Sequence, residues 1–254
     1  KEFSNFFLEN FDFCKVLYIL KTFKLTISKN KMYLIGIDDA GRGPLLGPMF
    51  LAGVLIKSTD EKFLKELGAK DSKLLTHPQR IILAEQIRKN AINIEISESS
   101  PKEIDEAVNS INLNTLEAKM TANIINKLNN KKDKIRAIVD CPSVNTLAWK
   151  NKMLSFVKNK ENLEVRCEHK ADFNYPVVSA ASIIAKVARE DSVEKIKKQF
   201  GNIGSGYPSD PTTIEFIKSQ GKALADTGIV RTSWATWKNL YPQASRKSSQ
   251  NKLF

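Results

Sequence analysis

From residue 33 onward, apolar runs of strand length alternate with stretches of helical spacing, and this alternation restricts the chain to an α/β layer architecture in one domain. Residues 33–38 and 49–56 are apolar runs separated by turn-rich Gly41-Arg42-Gly43-Pro44 and Gly47-Pro48. Helical spacing follows over 78–89, then a strand with one alternating face over 92–97. Ser100-Pro101-Lys102-Glu103 offers a capping serine, a proline at the first helical position and a glutamate three residues after the cap, so a short helix opens there. A longer helix is predicted over 115–128, strands over 135–140 and 163–167, and a long helix over 176–198. A Gly/Pro/Ser loop over 201–211 leads to weaker helices that reach about residue 240.

Charge and composition narrow the function classes. Forty Lys and Arg against 28 Asp and Glu leave a net charge of +12, which favours polyanionic partners. With 42% hydrophobic and 27% charged residues, the chain falls outside the disordered and membranous classes. No run approaches the roughly 18–20 apolar residues of a spanning helix, and none of it reads as a signal peptide. Cys14, Cys141 and Cys167 are scattered, which excludes a disulfide scaffold or a cysteine zinc cluster and suits a reducing compartment; a cytoplasmic protein is expected. Residues 1–31 hold six of the 13 phenylalanines with no clear period, and Met32 stands just before the first strand. That stretch reads either as an accessory segment or as upstream sequence carried into an over-long reading frame, artefactual or disordered.

Four aspartates carry the chemistry. A strand buried on both faces runs into Asp38 and Asp39, and the glycines that follow permit a bend and a close approach of a ligand to the backbone. Asp140 repeats the arrangement at the end of the 135–140 strand, where open α/β sheets place their ligands. Asp172 lies just ahead of a helix whose first turns contain Ser179, Ala180, Ala181 and Ser182, small enough to pack close to the sheet. Each also has a plain structural explanation: Asp38 and Asp140 as turn acids, Asp39 as a solvated one, Asp172 or Asn174 as a helix cap. Taken together, carboxylates without paired histidines or cysteines describe a hard-oxygen site for Mg²⁺ or Mn²⁺. A carboxylate cluster on a basic protein fits a phosphodiester substrate only with divalent ions between them, two of which clamp the attacking and leaving oxygens. Lysines over 131–134 and 186–198 would add sequence-independent phosphate attraction, or simply be solvated faces.

These residues also carry a resemblance. Asp38-Asp39-Ala40-Gly41-Arg42-Gly43-Pro44, Asp71-Ser72-Lys73, Asp140, Lys170-Ala171-Asp172, Ala180-Ala181-Ser182-Ile183-Ile184-Ala185-Lys186 and Gly206-Tyr207-Pro208-Ser209 stand in the order seen in ribonuclease HII. The chain resembles the archaeal branch of that family from about residue 32 to residue 240. The resemblance implies a ribonuclease H-like fold: a mixed central sheet flanked by helices, with additional C-terminal helices. Residues 1–31 would be an N-terminal extension, 32–240 the catalytic domain and 241–254 a basic flexible tail. It implies an endonuclease that hydrolyses the RNA strand of RNA–DNA hybrids and nicks 5′ of ribonucleotides embedded in duplex DNA, leaving 3′-hydroxyl and 5′-phosphate ends.

By the same resemblance, Asp38, Asp39, Asp140 and Asp172 match the catalytic, metal-holding carboxylates, with two Mg²⁺ or Mn²⁺ ions in the catalytic complex. Gly41, Arg42 and Gly43 match the loop that reads the ribonucleotide, Tyr207 the tyrosine that stacks on the following sugar, and Lys73 a substrate-contacting lysine. The family usually has Glu where this chain has Asp39, a difference of one methylene that bears on metal preference or rate. A ribonuclease HIII-like enzyme and a catalytically silent hybrid-binding protein are the rival readings; the intact Arg42 loop speaks against the first and the full carboxylate set against the second. Gln250-Asn251-Lys252-Leu253-Phe254 opens like a sliding-clamp peptide but lacks the paired aromatics, so a polar tail and a weak clamp contact are both expectations. A monomer is the family default.

Overall fold

Two long apolar strands organise the molecule. The computed structural model describes residues 32–66 and 75–242; Lys73 and its Asp71-Ser72 neighbours, the Phe-rich 1–31 stretch and the 250–254 peptide lie outside the described residues. Strands β1 (Met32–Ala40) and β2 (Met49–Lys57) pair antiparallel, and β2 is buried at every position except its last. Burial on both faces is what a continuous apolar run requires, because helices must then cover both sides of the sheet. β3 (Asn93–Ser99), β4 (Lys134–Asp140) and β5 (Leu163–Glu168) complete a sheet of order β3-β2-β1-β4-β5, antiparallel through β3, β2 and β1 and parallel through β1, β4 and β5. The mixed sheet flanked by helices is the fold class expected.

One face is covered by α3 (Pro101–Ser110), α4 (Leu113–Leu128) and α5 (Thr146–Ser155), whose Ile104, Ile124, Ile125, Trp149 and Met153 close over Ile35, Ile37, Ala137 and Val139. The other face is covered by α1 (Glu61–Glu66), α2 (His77–Asn90) and above all α7 (Pro176–Phe200). The first half of α7 is buried on every side, from Val177 to Ala185, as an all-round apolar helix must be. Its small residues bring its first turn directly onto β1: a Cβ built on Gly36 would stand 2.2 Å from the Val177 carbonyl oxygen. Only a glycine fits beneath that turn. A third cluster joins Leu45 and Leu46, in the loop after β1, to α8 (Pro211–Gln220), Val230 and Trp237 of α9 (Ala235–Leu240).

Local signals are matched closely. Ser100 and Glu103 form the reciprocal capping box, with the Glu103 N–H donating to Ser100 Oγ at 3.3 Å and the Ser100 N–H to Glu103 Oε2 at 2.7 Å. The third strand continues two residues beyond its expected end, to Ser99, because Ser99 still pairs with Met49. Three helices go beyond the sequence expectation: α1, α5 and the single turn α6 (Ala171–Asn174). Among the described residues, no helix is long and apolar enough to cross a membrane.

Candidate active site

The parallel pairing of β1 with β4 sets the site. Ile37 lies level with Val139, so the next residues, Asp38 two positions before the end of β1 and Asp140 at the end of β4, stand on adjacent strands just past their last parallel pair. Side chains alternate along each strand. Leu34, Ala40 and Ile138 belong to the core beneath α7, which puts Asp38 and Asp140 on that side, whereas Ile35, Ile37 and Val139 belong to the opposite core. Asp39 therefore turns towards α4. Asp172 sits in α6, buried with 6% of its surface exposed, and the residue before it, Ala171, donates its N–H to Asp140 Oδ1 at 2.8 Å. The short helix is thus hung from the acid at the end of β4.

The electrostatics are those of crowded negative charge. Burial holds the Asp38 carboxyl well above its usual range, helped by the charges of Asp39 and Asp140 and opposed by the Ser182 hydroxyl and the Asp39 N–H. Burial pushes Asp39 up to about 6, with Arg42 and Lys186 pulling down and Asp140 pushing up. Three of the four predicted carboxylates therefore lie within mutual electrostatic reach. Among the described residues, no three Asp, Glu, His or Cys side chains are grouped as a ready-made metal cage. The donor set itself, all oxygen and under-neutralised, fits Mg²⁺ or Mn²⁺.

Beside the acids, the Gly41-Arg42-Gly43 turn is locked from behind. Gly41 takes φ +85°, a conformation that favours glycine. Fully buried Arg231 donates to three carbonyls of this loop: Gly41 at 2.6 Å, Arg42 at 2.9 Å and Gly47 at 3.0 Å. The Trp234 indole N–H takes a fourth, on Gly43, at 3.2 Å. Burial lowers the Arg231 pKa to about 10, so the guanidinium stays charged. Asp105 of α3 in turn accepts four hydrogen bonds from Thr232 and Ser233, which fixes the segment that carries Arg231.

Opposite the loop stands Tyr207. Gly43 and the Tyr207 ring are neighbours, the Arg189 guanidinium lies 4.9 Å from the ring centroid, and the Arg189 Nη2–H is tied to the Ser205 carbonyl at 2.8 Å. These groups enclose a cleft of about 340 Å³ lined by Asp39, Ala40, Gly41, Arg42, Gly43, Arg80, Lys186, Arg189, Glu190 and Tyr207, with Arg80 ion-paired to Glu190. A roomier cavity of about 500 Å³, lined by Asn109, Thr232, Trp237 and Tyr241, lies away from the carboxylates.

The sequence model of the family described as Ribonuclease HII matches residues 35–237. The chain belongs to the ribonuclease HII family. It is 44% identical over 234 residues to the ribonuclease HII of Methanocaldococcus jannaschii, covering 87% of this chain and 99% of that one. The ribonuclease H2 of Pyrococcus horikoshii superposes with a TM-score of 0.75 at 37% identity, over 82% of this chain and 97% of that one. The Archaeoglobus fulgidus ribonuclease HII, solved in a PCNA:RNase HII complex, superposes with a TM-score of 0.69 at 40% identity, over 79% and 94%. The protein is accordingly a type 2 ribonuclease H.

Sequence reasoning passed over Glu117, Asn114, Arg189, Arg231 and Trp234. Glu117 had a signal: it falls on the apolar face of α4, four residues after Leu113 and three before Met120, where an acid needs a partner. Arg231 offered none, because its acceptors lie 184–190 residues away in the chain.

Proposed function

We propose that the cleft hydrolyses the RNA strand of RNA–DNA hybrids and nicks duplex DNA on the 5′ side of an embedded ribonucleotide, leaving 3′-hydroxyl and 5′-phosphate ends. The observation that carries this reading is the placement of Asp38 and Asp140 one residue past the last parallel pair of β1 and β4, beside a cleft walled by Arg42, Arg80, Lys186 and Arg189. Two divalent ions, Mg²⁺ or Mn²⁺, would be held by Asp38, Asp39, Asp140 and Asp172, and when bound would supply charge neutralisation and an activated water.

The chain's own residues do the rest. The cationic wall attracts the strand phosphates whatever their sequence. The pinned Gly41-Arg42-Gly43 backbone offers a 2′-hydroxyl a fixed surface without a side chain in the way, and that hydroxyl is what distinguishes RNA from DNA. Tyr207, backed by Arg189, gives a flat face on which a sugar or base can rest. Lys73 would add a further substrate contact from the segment outside the described residues. Residues 32–240 act as the catalytic domain, in a cytoplasmic monomer. The 250–254 peptide gives a weak sliding-clamp contact, a role suggested by the A. fulgidus complex; clamp affinity unchanged by deleting residues 249–254 would remove that part.

The test is incubation with a duplex holding one ribonucleotide, in Mg²⁺ and separately in Mn²⁺. A nick directly 5′ of that nucleotide with a 3′-hydroxyl end is expected. Binding without cleavage in both metals, or cyclic phosphate ends, would overturn the reading.

A further inference from the structure

Arg42 enters the cleft in one orientation because α4 grips it. Its Nε–H donates to Glu117 Oε1 at 2.8 Å and its Nη2–H to Asn114 Oδ1 at 2.8 Å. The two acceptors take the side-on edge of the planar guanidinium and leave its end-on edge, Nη1 with the remaining Nη2 N–H, for a ligand. The grip is rigid at its base. Asn112 caps α4 by accepting from the Thr115 N–H at 2.9 Å, and the Trp149 indole of α5 donates to the Asn114 carbonyl at 3.0 Å.

Packing alone does not explain this carboxylate. Glu117 is 1% exposed, its Oε2 has no hydrogen-bond partner, and the side chain it pairs with remains 39% exposed. A buried ion pair is on balance no better than a well-packed apolar residue, and Leu or Met would continue the face that α4 presents to the core. What the carboxylate adds is a direction for Arg42.

We propose that Glu117, together with Asn114, is the positioning residue for Arg42: the pair aims the open edge of the guanidinium at a phosphate of the bound nucleic-acid strand and so sets the affinity for the ribonucleotide junction. This rests on the nuclease reading above. Glu117 itself touches no substrate; it acts through Arg42.

The test is steady-state nicking of a duplex with one ribonucleotide by wild type, E117A, E117Q, N114A, R42A and the R42A/E117A double variant. Loss of a hydrogen bond to a charged group corresponds to roughly a tenfold change, and E117A is expected to raise KM by about that factor, with most of the change in KM rather than kcat. E117Q, which keeps the acceptor, should recover most of the loss, and N114A should show a smaller rise. In the R42A background E117A should add nothing, since the pair acts through one group. Wild-type KM in E117A, or effects that multiply in the double variant, would overturn the proposal. If E117A shows no cooperative melt, half-buried Asn114 decides: a raised KM in N114A supports the grip and a wild-type KM refutes it. A wild-type protein inert on this duplex would instead count against the nuclease reading.

Discussion

Asp38 is a carboxylate where carboxylates destabilise a fold: 6% exposed, beside two other acids, over the first turns of a buried helix. Replacing it with Asn removes charge that the metal-free fold must otherwise tolerate, so D38N is expected to melt at a higher temperature than wild type in EDTA. A lower melting temperature would mean that Asp38 is better satisfied than its surroundings imply. Glu117 gives a second measurement. Burial pushes it from 4.5 up to about 7, with Arg42 pulling back and Asp39 pushing further. Between those values the folded state binds more protons than the unfolded one, so Glu117 lowers stability as pH rises from 4.5 towards 7. E117Q removes that dependence. Its stability advantage over wild type, measured by urea unfolding, should grow across this window to the order of 3 kcal/mol. Arg231 works in the opposite sense: R231M leaves the Gly41, Arg42 and Gly47 carbonyls without their donor and is expected to cost about 3 kcal/mol in the same assay.

At the scale of elements, the site depends on how closely α7 lies on β1. The Gly36 hydrogen faces the Val177 carbonyl, and a methyl there would collide with backbone rather than with a movable side-chain end. G36A is therefore expected to cost ~3 kcal/mol and, by lifting α7, to displace Ser182 from Asp38; chemical denaturation and nicking rate together check this. These elements were legible in the sequence because their causes are local. The capping box at Ser100 and Glu103, the apolar run of β2 and the small residues opening α7 each state their structure within a few positions. Helix α5 was not legible, since it buries only Trp149 and Met153, one turn apart, and exposes Leu147. The order in which Asp38, Asp140 and Asp172 follow their strands was readable; that Asp39 turns to the α4 side follows from the parity of β1, which continues to Ala40 instead of ending at Asp38.

Across the whole molecule, parts remote in sequence fix the cleft. The loop after β1 is held by Arg231 and Trp234, these by Asp105, and Tyr207 by Arg189, so the turn that lines the cleft is built from segments up to 191 residues apart. No local pattern announces such contacts. The charge of +12 was readable, and it carries its own expectation. Affinity for a hybrid duplex should fall linearly on a log–log plot against salt, by roughly a thousandfold between 50 and 200 mM if about six phosphates are contacted. A flat plot would mean that the basic residues do not meet the strand.

Turnover and hybrid affinity measured side by side on D38N bear most directly on the role of the aspartates at the ends of β1 and β4. Loss of nicking by at least about a thousandfold is expected, the several kcal/mol that metal-assisted chemistry supplies, with hybrid affinity close to wild type. A D38N protein that still nicks at a rate near wild type would place the chemistry elsewhere.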